Sequence, residues 1–435
     1  MSSNIDIQKF YNYEINKNRY AVIAQAEFGP QILRIATEVQ ELKAQGETVY
    51  DFTVGDFMPA QFRIPKFLQE KIKKAIDDGE THYPPGKGVL SLRKAVQSMY
   101  SRKFGMDFPL DSFVIASGAR PLLYSLYRAV VDPGDKVIYA VPSWNNHYYV
   151  HLFSANGIAI QADRETRFLP TKEAIQPHIK DATLIVLNSP LNPSGTVFSK
   201  EALEGICDMV LEENQRRSPE QKPLYIAYDQ IYWQITFGDF EHYSPVDLRP
   251  ELAPFTVLID GVSKSYAGTG LRVGWAAAPP DIAAKMVSSF GHSGCWAPRA
   301  EQVGVAEFLN NETEVVKHQK EFNNGVHARL ELIYKHLNGM KDEGFPIDAI
   351  EPMGAIYLSV YFGIVGKTTK SGRVLTDNEE ARKYLLERTG LAAIPFYAFG
   401  SDKIGWFRFS VGSVSIKDIN EVMPKLREAL NEIEF

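Results

Sequence analysis

Between residues 112 and 277 the chain repeats one pattern: a short apolar run, then a stretch whose apolar positions recur at helical spacing. "SFVIAS" (112–117) is followed by "RPLLYSLYRAVV". Then come "KVIYAVP" (136–142), "GIAIQA" (157–162), "TLIVLNSP" (183–190), "LYIAYDQIY" (224–232) and "TVLIDGVSK" (256–264), with the charged helical stretch "SKEALEGICDMVLEENQRR" before the fifth run. Strands this uniformly apolar are buried on both faces, and helical crossovers are what cover both faces of a parallel sheet. The pattern predicts an α/β unit: a mostly parallel central sheet flanked by helices. In such open sheets ligands gather outside the carboxyl ends of the strands. The conspicuous polar residues fall there: Ser117, Trp144, Asn188, Asn192, Asp229 and Lys264.

The texture changes near residue 305. "ETEVVKHQKEFNNGVHARLELIYKHLNG" reads as a long amphipathic helix ended by Gly339. The shorter strands "AIYLSVYF" and "WFRFSVG" follow, with helical "NEEARKYLLERTG" between them. A chain of 435 residues favours two domains. The expected division is a large domain over 51–310, a smaller α+β domain over 311–435, and an N-terminal segment, 1–50, packing with the smaller one.

Composition narrows the function classes. The net charge of −6 comes without a block of like charge, so neither a nucleic-acid nor an anionic-membrane partner is expected. The first twenty residues lack the apolar core of a secretory signal, and no run approaches the ~18 apolar residues of a membrane span. Two cysteines, Cys207 and Cys295, make no disulfide framework. A cytoplasmic enzyme without a metal site is the expectation.

Each polar candidate has an ordinary reading beside its chemical one. Lys264 alone is a surface lysine; following "TVLI" and surrounded by Ser263, Ala267, Gly268 and Gly270, it becomes a desolvated amine with room for a ligand. Arg272, eight residues on, is an ion-pair partner or a phosphate ligand. Asp229 ends a buried strand, as a cap or as the partner of a buried cation. Tyr232 is core or reaches the same ligand. "NSPLNPSG" (188–195) is a turn-rich loop that holds Asn192 rigidly between prolines. "SGARP" (117–121) offers the amides of Gly118, Ala119 and Arg120 at a helix start to an anion. Trp144 stacks on a flat ring or fills core, and His147 orients a neighbour or is a satisfied histidine. Arg408, in the apolar "WFRFSVG", needs an anionic partner.

Together these residues resemble the class I/II aminotransferases, pyridoxal-phosphate enzymes of fold type I, from about residue 20 to the C-terminus. "SKSYAGTGLRVGW" is similar to that family's lysine motif, "NSPLNPSG" to its asparagine-proline loop, "YDQIY" to its Asp-x-x-Tyr strand end, and "FRFS" to its C-terminal arginine motif. "THYPPGKGVLSLRKAV" is similar to the segment that carries a tyrosine to the partner subunit. The resemblance implies transfer of an amino group from an L-amino acid to a 2-oxo acid by a ping-pong mechanism. Lys264 would be the Schiff-base residue and proton-transfer base, with Asp229 at the ring nitrogen and His147 behind it. Tyr232 and Asn192 would meet the phenolic oxygen and Trp144 the ring face. Ser117, Gly118, Ala119, Arg120, Ser263, Arg272 and, from the other chain of a homodimer, Tyr83 would surround the phosphate. Asn188 belongs to the same cofactor set, and Gly55, Trp144, Asn192 and Arg408 would line the substrate side.

Two departures stand out. Gly261 occupies a position where many relatives carry a phosphate-binding serine, for which Ser117 or Ser263 would compensate. "GHSGCWAP" (291–298) follows no second arginine of the kind aspartate-specific relatives use, leaving His292, Arg63 or Arg120 for that task. Elimination or C–S lyase chemistry on the same scaffold is the main alternative. A nicotinamide enzyme is disfavoured because "GTGLRVG" (268–274) has one residue too many in its last interval and leads into strand-like "WAAAPP". A transcription regulator would need an added DNA-binding module for which the chain has no length.

Overall fold

The six apolar runs become six strands of one sheet, and "GWAA" supplies a seventh. These are β1 (Phe113–Ala116), β2 (Lys136–Val141), β3 (Asn156–Gln161), β4 (Ala182–Asn188), β5 (Tyr225–Asp229), β6 (Thr256–Gly261) and β7 (Gly274–Ala277). The computed structural model describes residues 6–11, 13, 17–25 and 31–435. The spatial order is β1–β7–β6–β5–β4–β2–β3, with β7 antiparallel to both neighbours and the other pairings parallel.

The run-like apolar composition has a direct cause. Successive strand residues point to opposite faces, and both faces are covered. On β4, Ile185 and Leu187 join one apolar cluster while Leu184 and Val186 join another; on β6, Leu258 faces one way and Val257 and Ile259 the other. The helices used below are α1 (Gln31–Ala44), α2 (Leu90–Phe104), α3 (Ala119–Val130), α4 (Glu312–Asp342), α5 (Asn378–Thr389) and α6 (Ile416–Asn431). α2 covers the first face with Leu92, Val96, Met99 and Tyr100, and α3 covers the second with Leu122, Leu126 and Tyr127. Each buried aliphatic side chain contributes about 1.5–3 kcal/mol.

The C-terminal unit is built on an antiparallel sheet whose central strands are β8 (Tyr357–Phe362) and β9 (Trp406–Ser410), with Ile347–Ala349 and Ile394–Pro395 outside them. α4, α5 and α6 pack on it around one cluster. α4 corrects the expected helix end: it runs through Gly339 to Asp342, and the left-handed turn comes at Gly344, φ 96°. Burial of Met340 one residue later outweighs the ~1 kcal/mol that glycine costs inside a helix.

α1 lies against this unit. Ile35 packs with Ile394, Phe396 and Trp406, Val39 with Leu386 and Ala392, and Glu38 pairs with the buried Arg382. The strip after it is stitched to the same unit by backbone bonds: Tyr50–Asp51 pairs in parallel with Leu391–Ala392, Ser410 N–H donates to Phe52 O, and Met58 N–H to Gly412 O. Phe52, Phe57, Phe62, Ile231, Tyr232, Ile235 and Phe237 belong to the C-terminal cluster. Among the described residues, no helix is long and apolar enough to cross a membrane.

Candidate active site

Where β4, β5 and β6 run out, short side chains tie their ends together. Asp229 Oδ1 accepts from Ile231 N–H at 3.1 Å, and its backbone carbonyl accepts from Asn188 Nδ2 at 2.7 Å. Asn188 Oδ1 in turn accepts from the Asn192 N–H at 2.9 Å, which fixes the loop bearing Asn192. β6 ends at Gly261 and passes into one helical turn, Val262–Ser265, carrying Lys264.

The Lys264 amine donates to Gly55 O and lies 5.9 Å from the ring centres of both Phe57 and Tyr232. Burial pushes it down to about 8; Asp56 opposes this, and the guanidiniums of Arg408, Arg120 and Arg272 reinforce it. Burial pushes Asp229 up to about 6, against the Ile231 N–H and the charge of Lys264. The site therefore brings an unusually weak base near an unusually weak acid, a combination characteristic of proton-handling sites.

The turn from β1 into α3 forms a second wall. Gly118 adopts φ 98°, and a Cβ there would collide with Arg272 Nη2. Arg272 donates to Thr269 O at 2.7 Å and to Ser117 O at 2.6 Å. The α3 amides from Ala119 onward open beside it. Ser263 is buried and makes no side-chain hydrogen bond among the described residues. Gly261 has a steric reason to be glycine: its Cβ would sit 2.7 Å from Val273 O and 2.8 Å from Gly274 Cα, leaving no space for a serine.

Arg408 is 1 % exposed, donates to Asn192 Oδ1 at 3.0 Å and to Thr53 O, and keeps a buried Nε without a partner among the described residues. Its guanidinium is 4.6 Å from the Tyr357 ring and 4.9 Å from the Phe399 ring. The exposed Arg120 lies 5.2 Å from the half-buried Trp144 ring. Among the described residues, none of Arg120, Arg272 and Arg408 has a carboxylate at ion-pair distance.

Other expected residues make none of these contacts. His147 is half-buried, its imidazole pKa lowered by burial, its Nδ1 without a partner among the described residues; it makes no hydrogen bond to Asp229. Tyr83 is 84 % exposed, edge-on to Trp296 at 5.8 Å. Arg63 donates to Pro59 O at 3.0 Å and is exposed, as is His292. Two residues of the site are absent from the sequence expectations. Tyr357 OH meets Tyr232 OH at 2.6 Å, and a Cβ on Gly55 would come within 2.6 Å of that same Tyr357 oxygen. Asp56 accepts from Thr269 Oγ1 at 2.5 Å and faces Lys264. Tyr357 carries no sequence signal because a tyrosine in "AIYLSVYF" reads as core; Asp56 is signalled only by its neighbour Gly55.

The donor set suits a ligand with two separated anionic groups and a carbonyl-reactive ring. Uncompensated guanidiniums and a helix start serve the anions, a depressed lysine serves the carbonyl, and a buried carboxylate serves a ring cation. Pyridoxal phosphate bound with an amino acid meets that description.

Comparison with known proteins points the same way. The family model for aminotransferase class I and II matches residues 47–426. A probable aspartate/prephenate aminotransferase of Rhizobium leguminosarum bv. phaseoli is 29% identical over 374 residues, 85% of this chain and 88% of that protein. An aspartate aminotransferase of Rhizobium meliloti (strain 1021) is 29% identical over 407 residues, 93% and 94% of the two chains. The crystal structure of the aspartate aminotransferase from Rhizobium meliloti superposes with a TM-score of 0.86 at 26% identity, covering 95% of this chain and 99% of that one.

Proposed function

Because the chain belongs to the class I and II aminotransferases, and is a pyridoxal-phosphate-dependent aminotransferase acting on amino acids and 2-oxo acids, we propose that the crevice around Lys264 is its active site and that a dicarboxylic amino acid is its donor. When bound, the cofactor supplies an electron-withdrawing ring that takes up the charge released at the substrate's α-carbon. The rest falls to this chain's side chains. The Lys264 amine, titrating near 8, is partly neutral at pH 7–8 and takes and returns the α-proton. Asp229 keeps a proton on the ring nitrogen by offering a carboxylate in a dry site.

Arg272, Ser117 and the Gly118–Ala119–Arg120 turn hold the phosphate, with Ser263 beside them. Trp144 would supply an aromatic face, Tyr232 and Asn192 would hydrogen-bond the ring's oxygen, and His147 would stand behind Asp229. Arg408, its fork oriented by Asn192 and Thr53, grips the α-carboxylate. Arg408 is the observation that carries the reading: a buried guanidinium without a carboxylate of its own awaits one from the substrate.

Arg120 supports the dicarboxylic donor. It is an exposed cation whose field reaches Lys264 and Arg272, and the relatives above bear aspartate in their names. The chain works as a homodimer, in which Tyr83, stripped of cover on its own subunit, reaches the partner's phosphate end.

The test is a donor panel scored by the absorbance of bound cofactor, with borohydride fixation located by mass spectrometry. Fixation at Lys264, and an Arg120→Gln loss of roughly tenfold or more in kcat/KM for aspartate but not for a neutral donor, are expected from losing a charge pair. Fixation elsewhere, or steady ammonia release without an oxo-acid acceptor, overturns the reading.

A further inference from the structure

Asp260 lies within a strand whose every residue is buried, and the reaction as described makes no use of it. It is fully buried, two residues before the turn that presents Lys264, with no cation at ion-pair distance among the described residues. Its two oxygens have separate partners. Oδ1 accepts at 2.7 Å from the N–H of Gly261, the strand's last residue and the one that leads into the Lys264 turn, and Oδ2 accepts from Trp233 Nε1–H at 2.7 Å. Trp233 follows Tyr232 in the segment leaving Asp229. The register places Trp275 of β7 opposite Asp260, and Gln230 N–H donates to Ile259 O next door. Beneath them Gln230 Nε2 donates to Tyr100 OH of α2 at 3.1 Å, and Phe104 packs on Trp233 at 4.6 Å.

We propose that Asp260 is a positioning residue for transamination, clamping the turn that presents Lys264 to the segment that carries Asp229 and Tyr232. The inference rests on the reading of Lys264 and Asp229 given above. A desolvated carboxyl is costly without a counter-charge, and here it faces two N–H donors that belong to the two halves of the proton-handling pair. Charged or protonated, a carboxyl keeps acceptor capacity on both oxygens; an amide nitrogen has none. Asparagine would set its NH2 against one of the two donors and open the clamp on that side. Small misplacements of reacting groups cost up to about a hundredfold in rate.

The experiment compares the cofactor-loaded wild type with Asp260→Asn, Trp233→Phe, the double variant and Lys264→Ala. For both single variants we expect kcat about tenfold lower, donor KM changed less than threefold because Arg408 and Asn192 are untouched, and a displaced pH midpoint of the bound cofactor's absorbance. The double variant should be no worse than Asp260→Asn, as for two members of one contact. Trp233→Phe keeps the ring packing, so it decides the matter even where Asp260→Asn fails to fold. Wild-type kcat and an unmoved absorbance midpoint in folded, loaded Trp233→Phe overturn the clamp, as does a lowered melting temperature with neither of those changed. Lys264→Ala separates the two ideas: if it still turns over, the active-site reading fails, whatever the clamp variants do.

Discussion

Replacing Arg408 with methionine should leave the folded protein nearly as stable as before and cripple it toward amino acids. The side chain is 1 % exposed, and burial holds its guanidinium below its ordinary value, so the resting enzyme carries an uncompensated charge. Exchanging buried charged groups for apolar side chains of similar volume ranges from neutral to a gain of about 1–4 kcal/mol. Against that, the exchange strips a donor from Asn192 Oδ1 and another from Thr53 O, each worth about 1–3 kcal/mol when left unmet. The losses, about 2–6 kcal/mol together, are largely offset by that gain, so urea unfolding of the loaded enzyme should shift by about 2 kcal/mol at mid-range. Substrate has no such compensation. Losing a buried, hydrogen-bonded charge pair costs about 2–5 kcal/mol, which is roughly 30- to 4,000-fold in kcat/KM for any α-amino acid. A primary amine lacking a carboxylate should react with both enzymes alike. A variant destabilised by more than about 4 kcal/mol, or one whose kcat/KM for amino acids stays within threefold, would refute the argument.

Two further outcomes follow from the geometry. Gly261→Ser should lower the unfolding free energy by about 1–3 kcal/mol in urea titrations, because its Cβ must displace backbone at Val273 and Gly274; unchanged stability would contradict the close approach. Burial raises Asp229 to about 6 and Asp260 to about 8, so their neutral forms stabilise the cofactor-free fold fully below pH ~4. That stability is lost as pH rises through 6 and then 8. The lowered Lys264 acts oppositely but in a higher window, its penalty complete below about 8 and relieved toward 10.5. Asp260→Asn should therefore lose less stability than wild type between pH 5 and 8, read as urea midpoints; equal losses would exclude a titrating Asp260.

Much of the sheet is legible because double-sided burial leaves strands without polar interruptions, and the exceptions sit at the strand ends. Asp229 and Lys264 stand out for that reason. Asp260 gives the same signal inside "TVLIDG" and is overshadowed only by the more familiar lysine four residues on. Tyr357 is illegible, since a tyrosine that packs its ring and one that turns its hydroxyl to a crevice look identical in sequence. Gly339 misleads because a helix tolerates glycine when the next turn is buried. His147 is legible only as a polar residue just past the end of β2; spacing in sequence does not say what its imidazole touches.

The strip from Tyr50 to Phe62 has a consequence for anyone wishing to cut this chain into reusable parts. A fragment beginning at residue 311 would lack Phe52, Phe57 and Phe62 as well as Ile231, Tyr232, Ile235 and Phe237, side chains that complete its own interior. It would also lack the backbone donors that meet the carbonyls of Gly390 and Ala392. Transplanting the C-terminal unit onto another scaffold would therefore carry an unfilled apolar cavity, and grafting must move three discontinuous stretches together.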